Sequence, residues 1–116
     1  MKIKVIVIDA QHRIMYSTFV ENTFNQLKKI ISCTGFERIS LSKRESLFID
    51  EDGLFTAKMA FSLDRGANLH QFCLPYFAGS GIIAGVAADG SLTDCVSETE
   101  NILPGLQFFD ISNYTK

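Results

Sequence analysis

The stretch from Tyr76 to Cys95 constrains the fold more than any other part of the chain. It reads as a glycine-rich entry (Gly79, Gly81), a strand of small and β-branched residues (Ile82 to Ala88), an Asp89-Gly90 turn and a return strand (Ser91 to Val96). An Asp-Gly pair between apolar runs is a strong hairpin signal, because glycine takes positive φ without steric cost. With a two-residue turn there, Asp94 pairs with Gly85 and shares a face with Ile83, Ala87, Leu92 and Val96. The stretch carries no catalytic motif. In a dinucleotide fingerprint the third glycine comes one position earlier than Gly85, and a helix follows it to receive phosphate; here the text stays β-patterned. The glycines read instead as places for a bend, a bulge or a close backbone approach.

The rest of the chain agrees with a sheet. Val5-Ile6-Val7-Ile8 is an unbroken β-branched run, expected of a strand covered on both faces. Gln11-His12-Arg13 reads as a turn, and Ile14 to Val20 as its returning strand. Phe24, Leu27 and Ile31 recur at helical spacing, Asn22 or Thr23 can cap them, and Gly35 is a natural stop. One principal helix is therefore expected within residues 22–34. Phe36 to Leu41 reads as a strand and Lys43-Arg44-Glu45-Ser46 as a polar turn. Asp52-Gly53 should close a hairpin between Leu47-Phe48-Ile49 and the following apolar run, in which Ala57, Met59, Phe61 and Leu63 alternate. Leu69 to Leu74 and Leu106 to Ile111 read as further strands. Ser97-Glu98-Thr99-Glu100 has the form of a capping box opening a short helix, ended by Pro104-Gly105. The sum is one α+β domain over residues 1–116. Its sheet is mostly antiparallel, curved or partly barrel-like, with the helix on one face.

Composition narrows the function classes. The 116 residues are 47% hydrophobic and include ten phenylalanines, enough for a self-sufficient core. A net charge of −2 offers no broad field for phosphates, so nucleic acid is not an expected partner. No apolar run reaches membrane-spanning length, so no membrane partner is expected either. The N-terminal apolar run stops at Asp9, short of a signal peptide. Cys33, Cys73 and Cys95 fit neither a disulfide framework nor a zinc pattern, and read as free thiols of a cytoplasmic protein.

Each candidate chemistry fails on spacing. Asp50, Glu51 and Asp52 suggest a calcium loop. With Gly53 at its sixth position, Phe48 falls first and Met59 twelfth, and neither ligates calcium. His70 and Cys73 are three apart and point to opposite faces of a strand, so they make no nucleophile pair. Cys33 lies near a helix C-terminus, where the dipole disfavours a thiolate. Ser80 lacks the Gly-x-Ser-x-Gly setting of a nucleophile elbow. The expectation is a protein without catalytic residues, cofactor or metal. Asp94 on an apolar face either bonds a backbone N–H, the commoner case, or faces a ligand. Tyr76 and Phe77 form either the wall of a groove or part of the core. The candidate binding residues are thus Tyr76, Phe77, Gly79, Gly81 and Asp94.

The order of segments resembles a family of small uncharacterised proteins of phages, plasmids and bacterial accessory genomes, catalogued as a domain of unknown function. The resemblance is carried by Val5-Ile6-Val7-Ile8-Asp9, by Asn25-Gln26-Leu27-Lys28-Lys29-Ile30-Ile31, by Leu47 to Leu54 with its acidic centre, and by Phe77 to Gly85 followed by Asp89-Gly90 and Asp94. It implies a small interaction protein of mobile-element type, with a host or defence macromolecule as the thing regulated or inhibited. A protein partner is expected, and self-association is an open alternative. The second expectation is a small-molecule or nucleotide-signal binder with a groove near Tyr76, Phe77 and Asp94.

Overall fold

The computed structural model describes residues 1–63 and 76–112, with the side chain of residue 54 left out. In chain order the strands are β1 (Lys2–Asp9), β2 (Ile14–Glu21), β3 (Phe36–Ser42), β4 (Glu45–Asp50), β5 (Met59–Leu63), β6 (Phe77–Ala78), β7 (Gly81–Val86), β8 (Leu92–Thr93) and β9 (Leu106–Asp110). The helices are α1 (Phe24–Ile30), α2 (Gly53–Thr56) and α3 (Thr99–Ile102), the last followed by a 3-10 turn over Leu103–Gly105. All sheet pairings are antiparallel. The larger sheet runs β2-β1-β7-β4-β3, with β8 beside the C-terminal end of β7; the smaller runs β6-β5-β9. Among the described residues the larger sheet has its edges at β2 and β3 and does not close into a barrel. The class is α+β, with one principal helix on one face.

The β-branched run of β1 explains the layering. Its odd-numbered residues Ile3, Val5 and Val7 pack with Leu27 of α1 and with Phe48, Ile82 and Ala84. Its even-numbered residues Ile6 and Ile8 pack on the other face with Leu47, Ile83 and the smaller sheet's Phe61, Leu63 and Phe77. A strand between two covered faces cannot alternate apolar with polar, which is why the run is continuous. The order is helix, larger sheet, smaller sheet.

α1 falls inside the expected window. Thr23 caps it by accepting a hydrogen bond from Gln26 N at 3.1 Å. Its end differs from expectation. Cys33 N donates to Lys28 O and Ser32 N to Lys29 O, with Ser32 at φ 55. This is a Schellman closure with serine, not Gly35, in the left-handed position.

Three turn assignments are corrected. Asp52-Gly53 does not close a hairpin. Asp50 accepts a hydrogen bond from Asp52 N at 2.9 Å, an Asx turn that bends the chain out of the larger sheet. Gly53 then opens the single turn of α2, and β5 joins the smaller sheet. Glu45 is not in a turn but is the first, buried residue of β4; the turn is Lys43-Arg44. The capping box joins Glu98 and Asn101, because Ser97 turns inward to Glu45. The hairpin around Asp89-Gly90 does form, but one residue longer than a two-residue turn. Gly85 pairs with Thr93, and Ala87 N donates to Ser91 O. Only Gly90, at φ 88, takes positive φ, whereas a type I′ turn needs two such residues. The segment Leu69 to Leu74 lies outside the described residues, while the strand expected over Leu106 to Ile111 is present as β9.

Candidate functional site

The five residues singled out from the sequence do not converge. Phe77 is buried on β6, its ring centroid 5.4 Å from that of Phe61. Tyr76 is half-buried, edge-on to Phe109 at 6.5 Å. Gly79 makes the bend between β6 and β7 at φ 87 and donates its N–H to Met59 O at 2.8 Å. A Cβ on Gly81 would stand 2.8 Å from the Phe61 ring and 2.9 Å from a Leu47 methyl, so only glycine lets the two sheets approach there. Asp94 lies at the other end of β7, beside Gly85. The extra hairpin residue turns Asp94 off the apolar face, as any one-residue slip does. It is exposed and accepts a hydrogen bond from Lys4 N at 2.8 Å, while Cys95 N donates to Lys4 O. It therefore splices the β8 segment onto β1.

Gly79 does reach a cleft. Gln11, Asp50, Thr56, Lys58, Gly79 and Ser80 help to wall about 610 Å³ where the C-terminal end of β1 meets the smaller sheet. The polar groups there are largely engaged. Ser80 Oγ accepts from Ala10 N at 3.0 Å. Asp110, on the same wall, accepts from Ser112 N at 2.9 Å and Ser112 Oγ at 2.6 Å. Those bonds, helped by the charges of Arg13 and Lys58, hold its carboxyl below the usual range. Nearby, His12 Nδ1 lies 2.8 Å from Asp9 Oδ2 on an exposed turn. Cys33 and Cys95 are both free, and their thiols are pushed up, chiefly by burial, so neither is an activated nucleophile. Among the described residues no cluster of His, Cys, Asp and Glu is placed to hold a metal ion. No helix among them is long and apolar enough to cross a membrane.

The most distinctive surface is the β2 edge. Asn22 N donates to Met1 O, and Lys4 turns its N–H and C=O to Asp94 and Cys95, away from β2. Hydrogen-bonded and non-bonded pairs alternate along an antiparallel ladder. Met15, Ser17 and Phe19, opposite Ile8, Ile6 and Lys4, therefore direct their backbone N–H and C=O outward. Among the described residues β2 has only β1 as a strand neighbour. Ile14 is 49% exposed, Tyr16 41% and Phe19 64%. The other long edge, β3, is guarded by a bulge between Ser40 and Ser42 and by exposed Glu37 and Arg38. From Ile14 to Val20 β2 has no charge and no proline. That absence is the sequence signal for this surface, and it gains meaning only once β2 is known to be an edge.

Comparison with protein-family models, with curated proteins and with solved structures found no match.

Proposed function

We propose that the protein acts by binding another protein, as a small cytoplasmic interaction protein of phage or plasmid type that regulates or inhibits a host or defence macromolecule, with the β2 edge as its contact surface. The observation that carries this is the eight-residue strand with outward backbone groups at Met15, Ser17 and Phe19 and exposed Ile14, Tyr16 and Phe19. Such an edge accepts an added strand: main-chain hydrogen bonds supply affinity, and side chains on both faces supply selectivity. The accessory-genome origin is supported by the order of sequence segments. The test is capture of a partner from a bacterial host, followed by reconstitution with the purified partner. Phe19→Asp and Tyr16→Asp variants that keep the wild-type circular dichroism should bind at least about tenfold more weakly. Unchanged affinity in both would remove β2 from the contact.

A second reading, binding of a small molecule or nucleotide signal, is favoured by the cleft at Gly79 and Ser80, whose volume is in the range of ligand pockets. Tyr76, Phe77 and Asp94 do not help to form it. A thermal shift with a nucleotide panel, lost in Lys58→Glu and kept in Phe19→Asp, would favour this reading over the first.

A further inference from the structure

We infer that in the free protein the β2 edge pairs with β2 of a second copy, antiparallel about a twofold axis normal to the sheet, with Ser17 opposite Ser17. This rests on the reading of β2 as the binding edge and names its first occupant. An axis normal to the sheet keeps α1 of both copies on the same side, and residues directly opposite each other must then share a face. The faces of β2 are known: Val20 packs toward α1, Met15 toward the smaller sheet. Two central registers satisfy this condition, one with Ser17 opposite Ser17 and one with Thr18 opposite Thr18.

In the first register Met15 meets Phe19, Ile14 meets Val20 and Tyr16 meets Thr18, and Arg13, in the turn just before β2 at φ 57, comes to the same end of the seam as Glu21 of the second copy. Apolar faces apolar, and a turn arginine and a strand glutamate of opposite charge lie at each end of the seam. In the second register Met15 meets Glu21, Phe19 meets Ser17 and Ile14 meets Asn22, so three of the large apolar side chains face charged or polar groups, and only Tyr16 with Val20 makes a favourable pair. The outward backbone groups can pair in either register, so the side chains choose between the two. Met15, Ser17 and Phe19 all point outward, and their mutual pairing forms about six main-chain hydrogen bonds. Glu21 is open to this use, because its contact with the terminal amine of Met1 is long, at 3.8 Å, and exposed. A strand carrying several lysines could not face its own copy without like charges in opposition, and β2 has none. A protein partner that adds a strand to β2 would have to displace the second copy.

Sedimentation equilibrium of the full chain across the micromolar range should give a dimer. Ser17→Pro deletes an outward N–H without touching a bond to β1, and should raise the dimer dissociation constant at least about tenfold with the circular dichroism unchanged. Arg13→Glu should weaken the dimer about two- to fivefold, as exposed pairs do, and Arg13→Glu with Glu21→Arg should restore it. Cysteine cross-linking fixes the register whatever becomes of the proline variant. Opposed residues of a hydrogen-bonded pair have Cα atoms about 5.5 Å apart, within disulfide reach. Ser17→Cys should therefore give a covalent dimer on mild oxidation, while Thr18→Cys and wild type should not. A monomeric wild type, a dimer indifferent to Ser17→Pro, or cross-linking through Thr18→Cys in place of Ser17→Cys would each overturn the inference. Dimer failure and failure of the proposed function are read apart: a monomer whose partner binding is still lost in Phe19→Asp contradicts only the dimer.

Discussion

Glu45 holds together two parts of the chain more than fifty residues apart. Its side chain is almost fully buried, and it accepts from Val96 N at 2.8 Å, Ser97 N at 2.7 Å and Ser97 Oγ at 2.6 Å. A carboxylate removed from water in this way persists only with such partners. Ser97→Ala removes one charge-assisted bond from a group that cannot rehydrate, and should cost about 1.5–3 kcal/mol of stability in urea unfolding. The same environment acts on Cys95, whose thiol is raised by burial and then by the negative charge of Glu45. Cys33 is raised by burial and then by Asp50. A raised thiol pKa means less thiolate at neutral pH, so both should react with a thiol reagent more slowly than a small free thiol at pH 7.5. The rate should climb steeply as pH passes 9. Fast labelling of both at pH 7.5 would contradict that.

At the scale of elements, what the sequence displays is periodicity, and what it hides is register and partner. The continuous run in β1, the spacing of Phe24, Leu27 and Ile31, and the alternation in β5 are local patterns, and each became the element expected of it. The Asp52-Gly53 and Asp89-Gly90 pairs look alike in sequence, yet one opens a helical turn and the other closes a hairpin. The difference lies in what surrounds them: Asp50 turns the first out of its sheet, and Ser91 ties to the Asp89 carboxylate in the second. Glu45 reads as part of a polar turn because nothing local marks Ser97 as its partner. The binding residues expected at Tyr76–Gly81 mark a true constriction, but Phe77 and Gly81 serve sheet-to-sheet packing there. The helix end offers a direct check. Ser32 is exposed at φ 55, a conformation costly for an L residue and free of that cost for glycine. Ser32→Gly should raise stability by about 0.5–1 kcal/mol, net of the entropy glycine adds to the unfolded chain. A decrease in melting temperature would show that the Schellman closure is not formed.

Taken as a whole, the molecule buries both faces of its larger sheet, under α1 on one side and the smaller sheet on the other, so its faces are committed to the core. Among the described residues, what remains open is the rim. β3 is guarded by a bulge and charges and β2 is not, and that contrast places the proposed contact on β2. Edge status is a property of the assembled sheet, so the residues of β2 carry no label of their own in the sequence. Residue-resolved amide exchange measures the claim directly. In the dilute, unliganded chain the N–H groups of Tyr16, Thr18 and Val20, which face β1, should exchange slowly, and those of Met15, Ser17 and Phe19 quickly. With a purified protein partner at saturation, the three fast amides should become protected while the other three change little. Met15, Ser17 and Phe19 exchanging as fast in the saturated complex as in the free chain would contradict the account.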